Sequence, residues 1–292
     1  MPLRLDQALV ERGLCESREK AKRAIMAGQV KVNERIAAKP SENVRPDDKL
    51  KLIAGEKFVS RGGHKLEHAL RHFALDVTSL TAIDLGASTG GFTDCLLQSG
   101  AAKVFAVDVG HGQLAWKLRR DPRIVVLEKT NARELTPETI ASLEDGRARH
   151  SVRAADQTTV AERRARSDAP YLVDLVTIDC SFISLRKILP AAIALLRPSG
   201  KIVALIKPQF EAGKAEADKG AGVITDPAIH ARVLSELEKF VAELGRADSP
   251  LPAVGAHGVT RPTPVIWRGV TESPLLGPAG NKEFLVLIEK GS

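Results

Sequence analysis

Apolar positions along the first fifty residues follow helical spacing and then strand spacing. Leu5, Ala8 and Leu9, with the stem of Arg12, share one helical stripe that ends at Gly13, a natural stop residue. Ser17 is a candidate cap for a second helix, SREKAKRAIMAG, with Ala21, Ala24 and Ile25 turned inward and Gly28 closing it. Val30 and Val32 then alternate up to the turn residue Asn33, and VRPDDKLKLI predicts a further strand through Leu50, Leu52 and Ile53. A helix begins near Gly63. Beyond residue 80 the pattern changes to short, wholly apolar runs, each followed by a loop and often a helix. TAIDL, KVFAVD, VVLE, YLVDLVTID and KIVALIK are such runs, with a final strand in GNKEFLVLIEK. Strands buried on both faces read this way, so the pattern predicts an α/β domain with a mostly parallel, Rossmann-like sheet. The expected boundaries are a small α+β domain at 1–54, a linker at 55–62 and the α/β domain at 63–292. Residues 145–168, with six arginines and no aromatics, read as an exposed insertion.

A length of 292 residues agrees with two domains, since one commonly spans about 150. Charge adds a partner. Lys and Arg number 43 against 36 Asp and Glu, a net +7, which points to a polyanion such as nucleic acid. Residues 1–57 hold 13 basic and 9 acidic side chains, so +4 of that excess lies there. Aromatics are only 4%, which argues against a base-stacking sheet surface. Three distant cysteines, Cys15, Cys95 and Cys180, exclude a disulfide framework and a zinc-finger module and fit a reducing cytosol. No apolar run approaches the roughly 18–20 residues of a membrane span, and MPLRLDQALVERG has no signal-peptide core. A soluble, cytoplasmic protein is expected.

The loop after TAIDL carries the most specific chemistry. Asp84 stands near the strand end, Gly86-Ala87-Ser88-Thr89-Gly90-Gly91 turns into a helix starting at Phe92, and Asp108 closes the next strand 22 positions after Gly86. Glycines let backbone approach a ligand, and an acidic residue at that distance accepts ribose hydroxyls. Ser88 in place of a second glycine disfavours NAD, and the absence of GK[ST] excludes a phosphate-binding P-loop. The Asp84–Gly91 turn resembles the S-adenosylmethionine site of class I methyltransferases. The matching cofactor positions are Asp84, Gly86, Ala87, Ser88, Gly90, Gly91, Phe92, Asp108 and Asp179, with Asn131 as a purine contact. Asp179 and Lys207-Pro208 end two further apolar strands, the edge where an open parallel sheet binds its ligands. Glu283 lies near the start of the last strand.

Two other features have a plain reading beside a functional one. Arg18, Lys20, Lys22 and Arg23 on the second helix, with Lys31, are either a solvated face or an RNA-binding one. His64, His68 and His72 recur every four residues; lacking a carboxylate or thiol at matching spacing, they favour a solvated or RNA-facing stripe over a metal site.

RLDQALVERGLCESREKAKRAIMAGQVKVNERIAAKPSENVRPDDKLKL resembles the S-four-type RNA-binding domain, which implies Arg18, Lys22, Arg23 and Lys31 as backbone contacts. Over nearly all of residues 1–290 the chain resembles the haemolysin A (TlyA) family of ribosomal RNA 2′-O-methyltransferases, whose catalytic domain is like that of the FtsJ heat-shock methyltransferase. The strings that carry this are SRGGHKL, DLGASTGGFTDCLL, VDVGHGQL, IDCSFISL, IKPQFEAGK, KGAGVITDP and GPAGNKEF. The resemblance implies S-adenosylmethionine as cofactor, ribosomal RNA or a ribosomal subunit as partner, and a Lys-Asp-Lys-Glu tetrad at Lys65, Asp179, Lys207 and Glu283. A ribose hydroxyl is a very weak acid, so Lys207 is the candidate general base, with Asp179 and Glu283 orienting the lysines and Lys65 steering the ribose phosphate. The chain departs from the family at Lys219-Gly220-Ala221-Gly222, at 145–168 and at the Pro-rich stretch 250–264, none of which touches the tetrad. A membrane-active cytolysin and a non-catalytic RNA-binding assembly factor are the alternatives from other classes.

Overall fold

The computed structural model describes residues 3–26, 28–53, 57–142, 172–213, 216, 218, 220, 222–245 and 264–292. The Arg-rich segment 145–168 and residues 250–263 of the Pro-rich stretch lie outside the described residues. The chain forms two units, residues 1–57 and 58–292. Phe58 is buried in the second unit and the Val59 N–H donates to Asp94 Oδ2 at 2.8 Å. Residues 58–62, read above as the end of a linker, are therefore part of that unit's packing.

The first unit contains β1 (Leu3–Arg4), α1 (Leu5–Glu11), α2 (Arg18–Met26), β2 (Val30–Val32), β3 (Arg35–Ile36), β4 (Asn43–Val44) and β5 (Leu50–Leu52). Leu5, Ala8 and Leu9 of α1 and Ala21 and Ile25 of α2 pack on Val30, Val32 and Val44. Gly13 and Gly28, at φ +68° and +69°, stop the two helices in a conformation that disfavours other residues. The Ser17 hydroxyl accepts the Lys20 N–H at 3.3 Å, as a helix cap does. β3-β2-β5 form one antiparallel sheet, and β1 pairs with β4. Arg12 differs from its expected place in the apolar stripe. It is exposed, and its guanidinium donates to the carbonyls of Arg45, Pro46 and Asp48, fastening the turn ahead of β5.

In the second unit, helix α3 (Gly62–His72) precedes β6 (Thr81–Leu85), α4 (Gly91–Gln98), β7 (Lys103–Val107), α5 (Trp116–Arg119) and β8 (Ile124–Leu127). Then follow β9 (Val173–Ile178), α6 (Leu189–Leu195), β10 (Leu196–Ile206), α7 (Pro208–Glu211), α8 (Pro227–Leu244), β11 (Val265–Glu272) and β12 (Phe284–Lys290). The seven strands form one sheet in the order β11-β12-β10-β9-β6-β7-β8. β10, β9, β6, β7 and β8 run parallel, while β12 is antiparallel to both of its neighbours. Ile83, Leu85, Ile202, Ala204 and Ile206 face a layer that holds α6 and α8. Ala82, Val203 and Leu205 face the opposite layer, which holds α3 and α4. Both faces of the sheet are covered, which is why its strands lack polar alternation.

Helix α8 was not singled out from the sequence. Its buried His230, Val233, Leu237, Val241 and Leu244 make one helical stripe, and Asp226 caps the Ala228 N–H at 2.8 Å. The sheet order itself locates the functional edge. The chain runs from β6 to β7 and β8 on one side, then returns to β9 on the other. A crevice opens at the carboxyl ends of the strands where such a reversal occurs.

Candidate active site

Sheet register delivers the candidate residues to that crevice. Leu85 pairs with Ile178, so Gly86 and Asp179 leave adjacent strands together, and the Asp179 N–H donates back to Leu85 O at 2.9 Å. On the other side Ile206 pairs with Phe284, so Lys207 leaves the sheet beside the point where Glu283 enters it. At Gly86, φ is +85° and a side-chain carbon would lie 2.9 Å from Asp179 O. Only glycine lets the two loops cross this closely.

The glycine turn fixes a carboxylate at the edge of the crevice. Ser88 holds φ at +49°, an uncommon conformation for a residue with a side chain. Its N–H donates to Asp108 Oδ2 at 2.8 Å, and Gly110 N–H donates to Asp108 Oδ1 at 2.7 Å. Asp108 is thereby fixed at the wall of a cavity of about 370 Å³, together with Gly86, Ser88, Asn131 and Asp179 and the apolar Val109, Ile183 and Ile188.

A second cavity, about 480 Å³, shares Gly86, Ser88, Asp179 and Ser181 with the first. Ala87, Gly91, Phe92, Lys65, Lys207 and Glu283 also line it. Lys65 is bonded to Glu283, both buried; Lys207 Nζ lies 2.7 Å from Asp179 Oδ1 and 2.8 Å from Ser181 Oγ. All four tetrad candidates thus meet as two ion pairs on one wall. Gly91 helps bring them there. A side-chain carbon on it would sit 2.9 Å from Gly63 N, so the starts of α3 and α4 touch and carry Lys65 to the cavity.

Several expected roles change. Asp84 lines neither cavity. It is fully buried beneath the turn, accepting the Thr93 hydroxyl at 2.7 Å and the Thr177 hydroxyl at 3.0 Å, so it supports the loop instead of meeting a ligand. Gly90 also lines neither cavity; its φ of +95° and its contacts with Leu114 and Leu118 make its role conformational. Asn131 lines the first cavity, but its amide is spent locally, accepting from Arg133 at 3.2 Å and donating to Glu134 at 2.7 Å.

In the small unit, Arg18 is tied to the buried Asp6 at 2.9 Å, with Arg4 at 3.0 Å on the same carboxylate. These partners, Arg4 foremost, hold Asp6 down at about 2. The ionised pair stabilises the unit above the ordinary carboxylate range and is lost as pH falls toward 2. Lys20 is paired with Glu16, and Lys31 lies 3.6 Å from Glu34. Lys22 and Arg23 are exposed and carry no ion pair among the described residues. The histidine stripe is dispersed among other contacts: His64 meets Phe58 edge-on, and His68 bonds Thr271 at 3.2 Å and stacks on His72. No metal-binding group of three occurs among the described residues.

The sequence reading overlooked three residues here. Ser181, two positions beyond Asp179, holds Lys207 and lines both cavities. Phe182 is 91% exposed at φ +64°, with its ring 5.2 Å from that of Phe210. A bulky residue is seldom held in this conformation, and Phe182 lies at the lip of the first cavity. Glu211 accepts the Ser184 hydroxyl and the Leu185 N–H, each at 2.7 Å, and so fastens the KPQFE string to SFISL. Cys180 lines the first cavity too, but burial and Asp179 push its thiol up to about 12, which removes it as a nucleophile.

Asp84 carries a pH signature. Burial, with Asp179 adding to it, raises its carboxyl to about 7 against the opposing hydroxyl bonds of Thr93 and Thr177. A carboxyl raised on folding stabilises the protein when protonated, and that contribution is lost as pH climbs from about 4 through 7. Asp84→Asn keeps the shape without the titration. The melting temperature of the variant relative to the parent is expected to rise across that window, as measured by thermal scans from pH 5 to 8.5. A difference that stays flat with pH would contradict this account of Asp84.

Comparison with known proteins agrees with this architecture. Residues 58–246 match the FtsJ-like methyltransferase model and residues 3–50 the S4 domain model. The chain is 42% identical to the 16S/23S rRNA (cytidine-2′-O)-methyltransferase TlyA of Mycobacterium tuberculosis, covering 97% of this chain and 88% of that protein. It is 35% identical to Hemolysin A of Brachyspira hyodysenteriae, covering 97% and 98% respectively. A solved structure described as a candidate hemolysin from Streptococcus thermophilus superposes with a TM-score of 0.63 at 39% identity, covering 100% of this chain and 89% of that one. The chain belongs to the FtsJ-like methyltransferase family, in the TlyA and haemolysin A branch that carries an S4 domain ahead of the catalytic fold.

Proposed function

We propose that this chain methylates a ribose 2′-hydroxyl of ribosomal RNA, at a cytidine, with S-adenosylmethionine as methyl donor. The observation that carries the reading is the shared wall between the two cavities. One offers a carboxylate and apolar sides to a nucleoside; the other brings together Lys65, Asp179, Lys207 and Glu283. The activity printed for the M. tuberculosis relative supports the choice of substrate.

The residues present fit the cofactor. Asp108, held by two backbone N–H groups, keeps lone pairs for a ribose diol, while Val109, Ile183 and Ile188 accept a flat ring and Gly86 admits close backbone approach. When bound, S-adenosylmethionine supplies an electrophilic methyl group. The rest falls to the protein. Lys207, steered by Asp179 and Ser181, takes the proton from the ribose hydroxyl as the neutral amine, its own ammonium proton having passed to the Asp179 carboxylate across their ion pair. Lys65, fixed by Glu283, holds the neighbouring phosphate. Alignment supplies most of the acceleration, because well-oriented reactants gain on the order of 7–11 kcal/mol over free encounter. Phe182 offers an exposed ring at the lip for an unstacked base. Lys22 and Arg23 of the S4 unit supply phosphate contacts that position RNA without reading its sequence. An enzyme of ribosomal RNA whose cysteines Cys15, Cys95 and Cys180 form no disulfide belongs in the reducing cytosol.

Incubation with labelled methyl donor and ribosomal subunits from cells lacking the gene tests this reading. Digestion of the RNA is expected to release the label in a 2′-O-methyl nucleoside. Label on a base would refute ribose transfer. Tight RNA binding without label would favour the assembly-factor reading, and lysis of red cells without methyl donor the cytolysin.

A further inference from the structure

Two of the family strings, KGAGVITDP and GPAGNKEF, supply only Glu283 to the site described so far. The structure brings them together at one side chain. Asn281 is 1% exposed; its Oδ1 accepts the Ile224 N–H at 2.8 Å and its Nδ2 donates to Gly222 O at 2.8 Å. His230 on α8, also buried, reaches Ile224 O at 3.0 Å. Side chains therefore grip both backbone polar groups of Ile224, one of them from the residue two before Glu283.

The loop that carries Asn281 is closed on itself and tied down elsewhere. Ser273 N–H donates to Glu283 O at 2.8 Å across its base, and Gly277 N–H donates to Asn281 O at 2.9 Å across its middle. Arg61, from the SRGG string, donates to Leu276 O at 2.6 Å. The loop passes directly over the catalytic carboxylate, since a side-chain carbon on Gly277 would lie 2.5 Å from Glu283 Oε1. Pro278 from the same loop lines the cavity with Lys65 and Glu283.

We propose that Asn281 is a positioning residue, clamping the 273–283 loop to residues 222–224 so that Glu283 stays seated against Lys65. This rests on the reading of Lys65 and Glu283 as parts of the catalytic site. The clamp acts through hydrogen bonds on buried backbone groups, which tolerate few alternative geometries. Its loss lets the loop, and Glu283 with it, drift by a fraction of an ångström to an ångström. Misplacement on that scale costs up to about 100-fold in rate.

The test is a double-mutant cycle on the full chain, with ribosomal subunits as substrate. Asn281→Ala is expected to lower kcat by about 10- to 100-fold while leaving KM for S-adenosylmethionine near the parent value. In a Glu283→Gln background the same change is expected to add almost nothing, whereas a merely structural role costs equally in both backgrounds. Hydrogen exchange gives the second readout: the Ile224 and Gly277 amides are expected to exchange faster in Asn281→Ala. Should that variant fold poorly, Asn281→Ser replaces it, because its hydroxyl is too short to hold both the Ile224 N–H and Gly222 O yet leaves no apolar gap at a polar site. Its expected signature is the same fall in kcat, again vanishing in the Glu283→Gln background; a parent-like kcat in a folded Asn281→Ser would overturn the proposal. Additive losses, or unchanged exchange in Asn281→Ala, would overturn the proposal. Parent-like turnover in Glu283→Gln would overturn the reading of Glu283 itself, and the exchange data would separate that outcome from a failure at Asn281.

Discussion

Lys207→Ala is expected to reduce methyl transfer by at least about 100- to 10,000-fold, the range typical of a lost proton-transfer group. Its amine is 2.7 Å from Asp179 and 2.8 Å from Ser181, where β9 and β10 deliver their ends to one cavity. Lys207 does not line the cavity that holds Asp108, so cofactor affinity is expected to stay within about threefold, under 1 kcal/mol. Paired measurements of single-turnover rate and calorimetric titration with S-adenosylhomocysteine check both halves. Lys207→Arg is the informative companion. It keeps the positive charge and the bond to Asp179, yet a guanidinium does not give up its proton. It is expected to be as inactive as the alanine variant; substantial activity would make the residue an electrostatic clamp and not a base.

The second large effect is expected at Gly86. Gly86→Ala places a methyl group 2.9 Å from Asp179 O and 3.0 Å from Cys180 N, and forces a φ of +85° on a residue with a side chain. Neither neighbour is the end of a flexible chain. The Asp179 backbone is itself bonded to Leu85 O at 2.9 Å, so the strand ends must part. Strain and overpacking of this kind cost about 2–4 kcal/mol together. The variant is expected to melt well below the parent and to bind S-adenosylhomocysteine at least about 100-fold more weakly, a loss of about 2.7 kcal/mol. Gly213→Ala is the control, with open space around the new carbon and no left-handed backbone. It is expected to change stability by less than about 0.5 kcal/mol. Equal behaviour of the two variants would contradict the close crossing at Gly86.

The strands and the glycine turn were legible because their signal is local. Apolar runs such as KIVALIK and a turn built on Gly86 and Gly90 announce themselves within a few residues. Asp179, Lys207 and Glu283 were legible as strand-end charges, and sheet topology supplies the rest. What escaped was set by contacts distant in sequence. Asp84 read as a ligand residue because a strand-end carboxylate before a glycine turn suggests one. Only Thr93 and Thr177, from different elements, show that it is spent below the loop. Asn131 reads as a purine contact from its position after a strand; the structure keeps it in the cavity wall and adds that its amide also closes a turn within four residues. Arg18 looked like a free cation until Asp6, twelve positions away, took it up. Ser181 and Asn281 carry no charge and sit in no periodic pattern. Their bonds to Lys207 and to residues 222–224 exist only once the chain has folded.

The central claim is ribose methylation of ribosomal RNA at the cavity shared by Lys65, Asp179, Lys207 and Glu283. Mapping of 2′-O-methylation across all ribosomal RNA, in cells lacking the gene and in the same cells carrying either the parent chain or Lys207→Ala, tests it most directly. The expected result is a 2′-O-methyl mark, on cytidine, that disappears with the gene, returns with the parent chain and stays absent with Lys207→Ala. An unchanged methylation map on loss of the gene, or a mark restored by Lys207→Ala, would contradict the account.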